Sequence, residues 1–429
     1  MKDSGVKWIE QIPDDWSTIR FKDKYVNQKE IAGQKSANYE RLALTLNGVI
    51  KRAKDDSEGL QPKEFDGYQI IYENDFIFKM IDLQNISTSR VGLSPYVGLV
   101  SPAYIRFSPR MDNQYNKFIY YFLMSMYYNC VYNNLAGNGV RSALNATDMG
   151  QFVIPYPSID IQRKIVKLLE NKLTQVDTLI ANQQAQIEKL KEYKQSVITE
   201  AVTKGLDKTT PMKDSDVEWI GNIPASWEVL RIKNLGWTQN GISKGGDFFG
   251  QGYPFVSYGD VYKNIILPEN VDGLVETTEQ ERYNYSVQEN DIFFTRTSET
   301  IEEVGFSCVC KKTIPNATFA GFLIRLRLFN NEKFHIDFAK YYFRGSHIRK
   351  YLVKEMNIVT RASLGQDLLK AMSVTLPPMV EQHQIADYLD KKCADIDSLI
   401  SIKQQKIEKL QEYKKSLIYE YVTGKKEVG

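Results

Sequence analysis

The three histidines of the chain, His335, His347 and His383, all fall in its second half. Acid–base chemistry near neutral pH relies on His more than on any other side chain, so an active site repeated along the chain could not be built on it. Cys308-Val-Cys310 offers two thiols, but a tetrahedral zinc site needs four ligands and no second pair follows. The pair reads as small buried thiols on a strand. Gly245-Gly246 and Gly250-Gln-Gly252 make a glycine-rich loop beside Lys244, without the Gly-Lys-Ser/Thr and preceding buried strand of a phosphate-binding loop. Leu376-Pro-Pro-Met379 has the proline pair of a loop that grips an extrahelical adenine. That chemistry needs an acid or amide before the prolines and an aromatic after them, and Leu376 and Met379 fill neither role. The prolines read as a helix start. The chain by itself is expected to do no chemistry and to hold no metal or cofactor.

What positions the remaining polar groups is a chain of 429 residues and 49.5 kDa, too long for one core and expected to hold several domains. Its 42 % hydrophobic and 25 % charged residues are ordinary for a globular protein. Lys plus Arg number 55 against 53 Asp plus Glu, so no broad basic surface of the kind that dominates unspecific nucleic-acid binding is evident, and local patches or a partner would have to supply affinity for DNA. The longest apolar run, Ile119 to Tyr128, is far short of the roughly 18 residues that cross a bilayer, so no membrane partner is expected. The first residues lack the pattern of a signal peptide and the four cysteines are scattered, which fits a reducing cytoplasm.

The chain is a tandem repeat. Met1 to Trp16 returns as Met212 to Trp227, and residues 1 to 22 share 12 identities with their counterparts. Ile187-Glu-Lys-Leu190 and Glu192-Tyr-Lys194 return as Ile407-Glu-Lys-Leu410 and Glu412-Tyr-Lys414, so the offset grows from 211 to 220 and the poorly matched middle is longer in the second copy. Each copy ends in an expected long helix, beginning after Pro155-Tyr-Pro157-Ser158 and after Pro377-Pro378, with Glu381 suiting the helix dipole. The first, from Ser158 to Lys204, would reach roughly 70 Å at 1.5 Å per residue. Leu169, Leu173, Val176, Ile180, Ile187, Leu190 and Val197 follow an alternating four–three spacing, as do Leu389, Ile396, Ile400, Ile407, Leu410 and Leu417. Gln183, Lys194, Lys403 and Lys414 interrupt the seams at matching places, either to mark register or with the lysines reaching to solvent.

Between each Trp motif and its helix lie short β-rich runs separated by Gly, Pro, Asn and Asp, such as Leu42 to Leu46 and Phe76 to Phe78, or Ile292 to Phe294 and Phe322 to Leu326. Weak anchors align the two regions: Glu73-Asn-Asp75 with Glu289-Asn-Asp291, Tyr120-Tyr-Phe122 with Tyr341-Tyr-Phe343, and Arg141 and Leu144 with Arg361 and Leu364. The expected fold class is α+β: two β-rich mixed domains, at 1–157 and 211–376, in a pseudo-two-fold repeat. They are separated by long helices, at 158–210 and 377–429, pairing as an antiparallel coiled coil. The chain end takes the place that would precede Met1, which implies a pseudo-circular layout with neighbouring termini. Trp8, Trp16, Trp219 and Trp227 read as packing anchors.

The motifs Trp8-Ile-Glu-Gln-Ile-Pro-Asp-Asp-Trp16 and Trp219-Ile-Gly-Asn-Ile-Pro-Ala-Ser-Trp227, the helix starts Pro157 to Gln162 and Pro377 to Gln382, and the Glu-Lys-Leu-x-Glu-Tyr-Lys tails are together similar to the DNA-specificity subunit of type I restriction-modification enzymes. The resemblance covers essentially the whole chain; Ile161 departs from it where the second copy has Glu381. It implies two target recognition domains, each reading one half of an asymmetric, bipartite site in double-stranded DNA. It also implies helices that bind two modification (methyltransferase) subunits, and further restriction (translocase-nuclease) subunits in a bacterial or archaeal cytoplasm. S-adenosylmethionine, ATP and Mg would belong to those partners, which methylate adenine N6 or cleave.

Arg and Lys can read guanine, Asn and Gln can read adenine, and most basic contacts only hold phosphate. On that chemistry the candidate DNA contacts of the first domain are Lys51, Arg52, Lys54, Lys79, Gln84, Asn85, Arg90 and Arg141, in or beside turn-rich segments. Those of the second are Ser243, Lys244, Asp247, Arg296, Ser298 and Arg361. The competing reading is a coiled-coil scaffold whose two β-rich domains bind proteins.

Overall fold

The fold is that of a computed structural model, which describes residues 1–45, 48–56, 64–80, 91–111, 115–135, 144–298, 304–330, 332–355 and 362–428. The chain forms two compact units, Met1–Gln184 with Gln405–Gly429, and Ala185–Gln404. Each unit contains one mixed domain, half of the first long helix, Ile159–Lys204, and half of the second, Met379–Val422. Among the described residues no helix is long and apolar enough to cross a membrane.

Both units use one frame. In the first, a four-stranded antiparallel sheet runs Tyr25–Asn27, Ile105–Pro109, Phe76–Phe78, Val91–Leu93; in the second the same order is Gly236–Asn240, Leu323–Leu328, Ile292–Thr295, Ser307–Val309. The register is conserved as well, Arg106 facing Ile77 and Arg325 facing Phe293. A second sheet, of four strands in the first unit and three in the second, includes one parallel pair in each, Leu99 with Arg41 and Phe255 with Thr318. The strand that follows each Trp motif closes the domain, Ser17–Arg20 pairing with Val153–Tyr156 and Glu228–Arg231 with Ser373–Leu376.

The Glu-Asn-Asp anchor has a definite physical cause. Asn74 and Asn290 sit at φ 69° and 70°, a left-handed turn that Asn tolerates, and each places the next residue's carboxylate inside the fold. Asp75 and Asp291 are buried and accept the backbone N–H of Tyr72 and Gln288 at 2.7 and 2.8 Å. The turn is thus tied to the strand it starts.

The tryptophans anchor the domains to the helices. Trp8 packs on Phe122 (5.5 Å) and Tyr419 (6.2 Å), and Trp16 is edge-on to Phe118 (6.1 Å). In the second unit Trp219 packs on Tyr351 (5.0 Å), while the fully buried Trp227 donates its indole N–H to Glu381 at 2.9 Å. Glu381 therefore does more than complement a helix end, and Ile161 at the equivalent place is apolar and partly buried against the core. Gly424 (φ 71°) ends the second helix against Pro13 and Trp16, as Gly205 (φ 74°) ends the first against Trp227. The C-terminal end thus lies on the N-terminal motif, with Lys425 Nζ donating to the Gln11 carbonyl at 3.0 Å. Both helix starts use the same lock: buried Gln162 and Gln382 donate through Nε2 to the carbonyls of Pro157 and Pro377, each at 2.9 Å.

The helices pair antiparallel, as Gln186 with Lys403 and Lys194 with Asp397 show in the second unit. Lys194–Asp397 and Lys414–Asp177 are equivalent ion pairs, each at 2.6 Å, in different units. These lysines are part-exposed and reach across to a carboxylate of the other helix. Of the seam positions, Leu169, Leu173, Val176, Ile187, Val197, Leu389, Ile396, Ile407 and Leu417 are buried, and Ile180, Leu190, Ile400 and Leu410 half-buried.

Candidate nucleic-acid interface

In the first unit Lys51 and Arg52 end the edge strand Gly48–Arg52 and Lys54 follows in the turn, so a short stretch of sheet edge carries three cations. Each has a partner. Lys51 Nζ is 2.6 Å from Glu40, which holds its pKa above the usual lysine range, and lies 5.2 Å from the Tyr96 ring. Arg52 is 3.4 Å from Asp56, and Lys54 donates to the Ser36 carbonyl at 2.8 Å. The exposed Lys51–Glu40 pair contributes little to stability, whereas Arg52, Asp56 and Lys54 are half-buried. Lys79, half-buried, follows the strand Phe76–Phe78. Gln84, Asn85, Arg90 and Arg141 lie outside the described residues, as does Arg361.

In the second unit Ser243, Lys244 and Asp247 share one loop. Lys244 pairs with Glu281 at 2.6 Å and lies 5.2 Å from the Phe248 ring. Glu281 also accepts the Thr278 N–H at 2.8 Å, and its pKa is lowered chiefly by Lys244. Arg296 and Ser298 lie elsewhere, at the end of the strand Ile292–Thr295 and in the short ladder Thr297–Ser298 with Ala362–Ser363. The backbone of Arg296 accepts from Leu364 N–H at 2.7 Å; the equivalent bond in the first unit joins Leu144 N–H to Met80, beside Lys79. Lys79 and Arg296 thus occupy neighbouring places on the shared frame. Cys308 and Cys310 are buried, and desolvation pushes both thiols up to about 12. Among the described residues no group of three His, Cys, Asp or Glu side chains could hold a metal ion.

One concentration of polar and aromatic groups has no counterpart among the candidates read from the sequence. On the second unit Trp237, Gln239, Arg282, Tyr283, Asn284 and Arg327 line a depression of about 680 Å3. Arg327 gives Nε and Nη2 to Asp291, each at 2.6 Å. Arg325 is fully buried, donating to Gln239 Oε1 and the Ser286 carbonyl at 2.5 Å each, and burial lowers its pKa to about 10. In the first unit the equivalent buried Arg106 pairs with Asp75 at 2.6 Å, and Ser108 donates to Asp75 at 2.6 Å. Burial nevertheless raises the Asp75 pKa, outweighing these contacts. The available signal was Arg325-Leu-Arg327, an alternation that puts two guanidinium groups on one face of a strand.

Residues 15–189 and 224–412 match the family model described as type I restriction modification DNA specificity domain. The type I restriction enzyme MjaVIII specificity subunit of Methanocaldococcus jannaschii is 23 % identical over 423 residues, which cover 97 % of this chain and 94 % of that one. Among solved structures, a chain from work on complex assembly and conformational transition of the type I R-M system has a TM-score of 0.67 at 14 % identity, covering 96 % of this chain and 98 % of its own. The HsdS subunit from Thermoanaerobacter tengcongensis has a TM-score of 0.50, with the same identity and coverage. At that identity both bear on the fold alone.

Proposed function

The chain belongs to the type I restriction modification DNA specificity family, and from that premise we propose that it is the non-catalytic subunit that selects the DNA on which its partners act. Each unit reads one half of a split, asymmetric sequence in double-stranded DNA. The supporting observation is one frame used twice with different surfaces: sheet order, register and a buried aspartate paired with an arginine recur, but the arginine is Arg106 in the first unit and Arg327, at the place of Ser108, in the second, and Val26 of the first unit stands where the second has Trp237. Equal frames with unequal surfaces suit unequal half-sites.

Two modification subunits would dock on the paired helices. Leu179 and Tyr413 of the first unit and their repeat equivalents Leu399 and Tyr193 of the second stay 45–49 % exposed, giving each unit the same apolar pair for an identical partner. S-adenosylmethionine, ATP and Mg, and the chemistry of adenine N6 methylation or cleavage, would reside in the modification and restriction subunits. The residues of this chain would contribute hydrogen bonds and cations to base edges and phosphates.

The test is co-expression with the modification subunit in a host lacking adenine methylation, followed by mapping of N6-methyladenine. A split motif that vanishes without this chain is expected. Exchanging residues 20 to 150 for another recognition domain should change one half of that motif only, and inserting one turn into the first long helix should change the gap and not the bases. A soluble, assembled complex that binds no particular sequence would sink the proposal.

A further inference from the structure

Strands Gly236–Asn240 and Leu323–Leu328 set Trp237 opposite Arg327 and Gln239 opposite Arg325. Alternation brings these four to one face of the sheet, while Leu326 joins the core on the other. The Arg325 guanidinium lies 4.6 Å from the Trp237 ring and 5.1 Å from Phe319, and that of Arg327 is 5.7 Å from the same indole. Among the described residues no carboxylate pairs directly with Arg325: its guanidinium donates to neutral acceptors, and Asp291, itself paired with Arg327, offsets its charge only in part. Trp237 nonetheless stays 40 % exposed and lines the depression. Arg282, 3.8 Å from the Tyr253 ring, and Tyr283, 80 % exposed, line it too, with the carboxamides of Gln239 and Asn284.

An exposed indole among guanidinium groups and carboxamides matches a nucleotide. The ring stacks a base of any identity, the carboxamides can read its edge, and Arg282 can meet a phosphate, while Arg327 is already paired with Asp291 and Glu279 on the rim keeps an anion to the Arg282 side. Among the described residues the first unit keeps Gln28 at the place of Gln239 but not the indole or the second arginine: Val26 stands at the place of Trp237, Ser108 at that of Arg327, and Arg106 is committed to Asp75 and lies against Tyr72. The cradle therefore falls where the shared frame diverges, which is where two unequal half-sites must be told apart.

We propose that this depression binds one nucleotide, its base on Trp237 and its phosphate near Arg282, and that the nucleotide is unstacked from the half-site read by the second unit. The inference rests on the DNA-reading function. Stacking on the indole and the charge-assisted contacts would offset the loss of stacking in the duplex.

The experiment uses the full chain with its modification subunit and duplexes carrying the mapped split sequence, intact or abasic at one position at a time. Trp237→Ala should weaken binding to the intact duplex about 5- to 150-fold, the worth of one base–aromatic stack. That loss should disappear on the duplex abasic at one position of one half only. Arg282→Gln should reduce the slope of log affinity against log salt by about one. Tyr283→Ala, at an exposed position, and Trp237→Tyr, which keeps a stacking ring, guard against misfolding: the first should weaken binding and the second largely restore it. In a second arm, ATP and dAMP are titrated into the DNA-free chain labelled with 5-fluorotryptophan, watching the resonance that Trp237→Phe removes. A response there without abasic coupling means that the cradle takes a free nucleotide, which keeps the ligand chemistry and refutes its DNA source. No coupling and no response overturns the proposal while leaving the recognition function intact. A complex that binds no specific sequence defeats that function, and the free-nucleotide arm then decides the cradle alone.

Discussion

Acidification should loosen the second unit, chiefly through His347. His347 lies in the helix Ser346–Glu355, 3 % exposed, stacked on Trp219 (6.0 Å, 9° between planes) and edge-on to Tyr342 (4.8 Å). Neither ring nitrogen has a hydrogen-bond partner among the described residues. Desolvation, with a smaller contribution from Lys350, lowers its pKa from 6.5 to about 3. The folded-state value lies below the unfolded one, so between these limits the unfolded chain binds the extra proton. Stability is full above pH 6.5 and is lost as pH falls through the window. At pH 5 the loss is about 2 kcal/mol, or about 1 M in urea midpoint for an m value of about 2 kcal/mol per M. His335, whose pKa is lowered by burial and then by His383, acts in the same direction. A His347→Phe variant removes only the His347 contribution, so the comparison isolates it whatever offset the larger ring brings at pH 7. Urea unfolding at pH 7 and 5, followed by intrinsic fluorescence, should show a shift about 1 M smaller in the variant. Parallel shifts in the two proteins would refute the reasoning.

Other perturbations separate frame from surface. Asp291→Ala strands the part-buried Arg327 beside buried Arg325 and should cost about 3–5 kcal/mol, read as a drop in the urea midpoint; a loss under about 1 kcal/mol would show that the clamp is dispensable. Glu381→Leu removes a charged acceptor from the buried Trp227 indole and should cost about 1.5–3 kcal/mol, visible also as a change in tryptophan emission. Iodoacetamide at pH 8 should label exposed Cys130 and spare Cys308 and Cys310, whose buried thiols are pushed up to about 12; peptide mass spectrometry that finds equal labelling would contradict their burial.

The sequence by itself determined the repeat, the two long helices and their seams, because these rest on local patterns. A four–three spacing fixes a helix face whatever surrounds it, and a duplicated Trp-Ile-x-x-Ile-Pro-x-x-Trp fixes the same corner twice. The Glu-Asn-Asp anchors were legible as a match, but not their reason: that Asn74 and Asn290 turn left-handed and bury a carboxylate against a guanidinium is visible only when strands distant in sequence are paired. The candidate DNA contacts rest on side-chain chemistry and turn-rich segments, which say where cations can be and not what neutralises them. Tertiary structure gave Lys51 to Glu40 and Lys244 to Glu281. It also assembled Trp237, Arg282 and Arg327 into one depression from three separate segments. Their convergence depends on the register between strands Gly236–Asn240 and Leu323–Leu328, where a slip of one residue would turn each side chain to the opposite face. Periodicity is written along the chain, and the composition of a surface is decided by which distant segments meet.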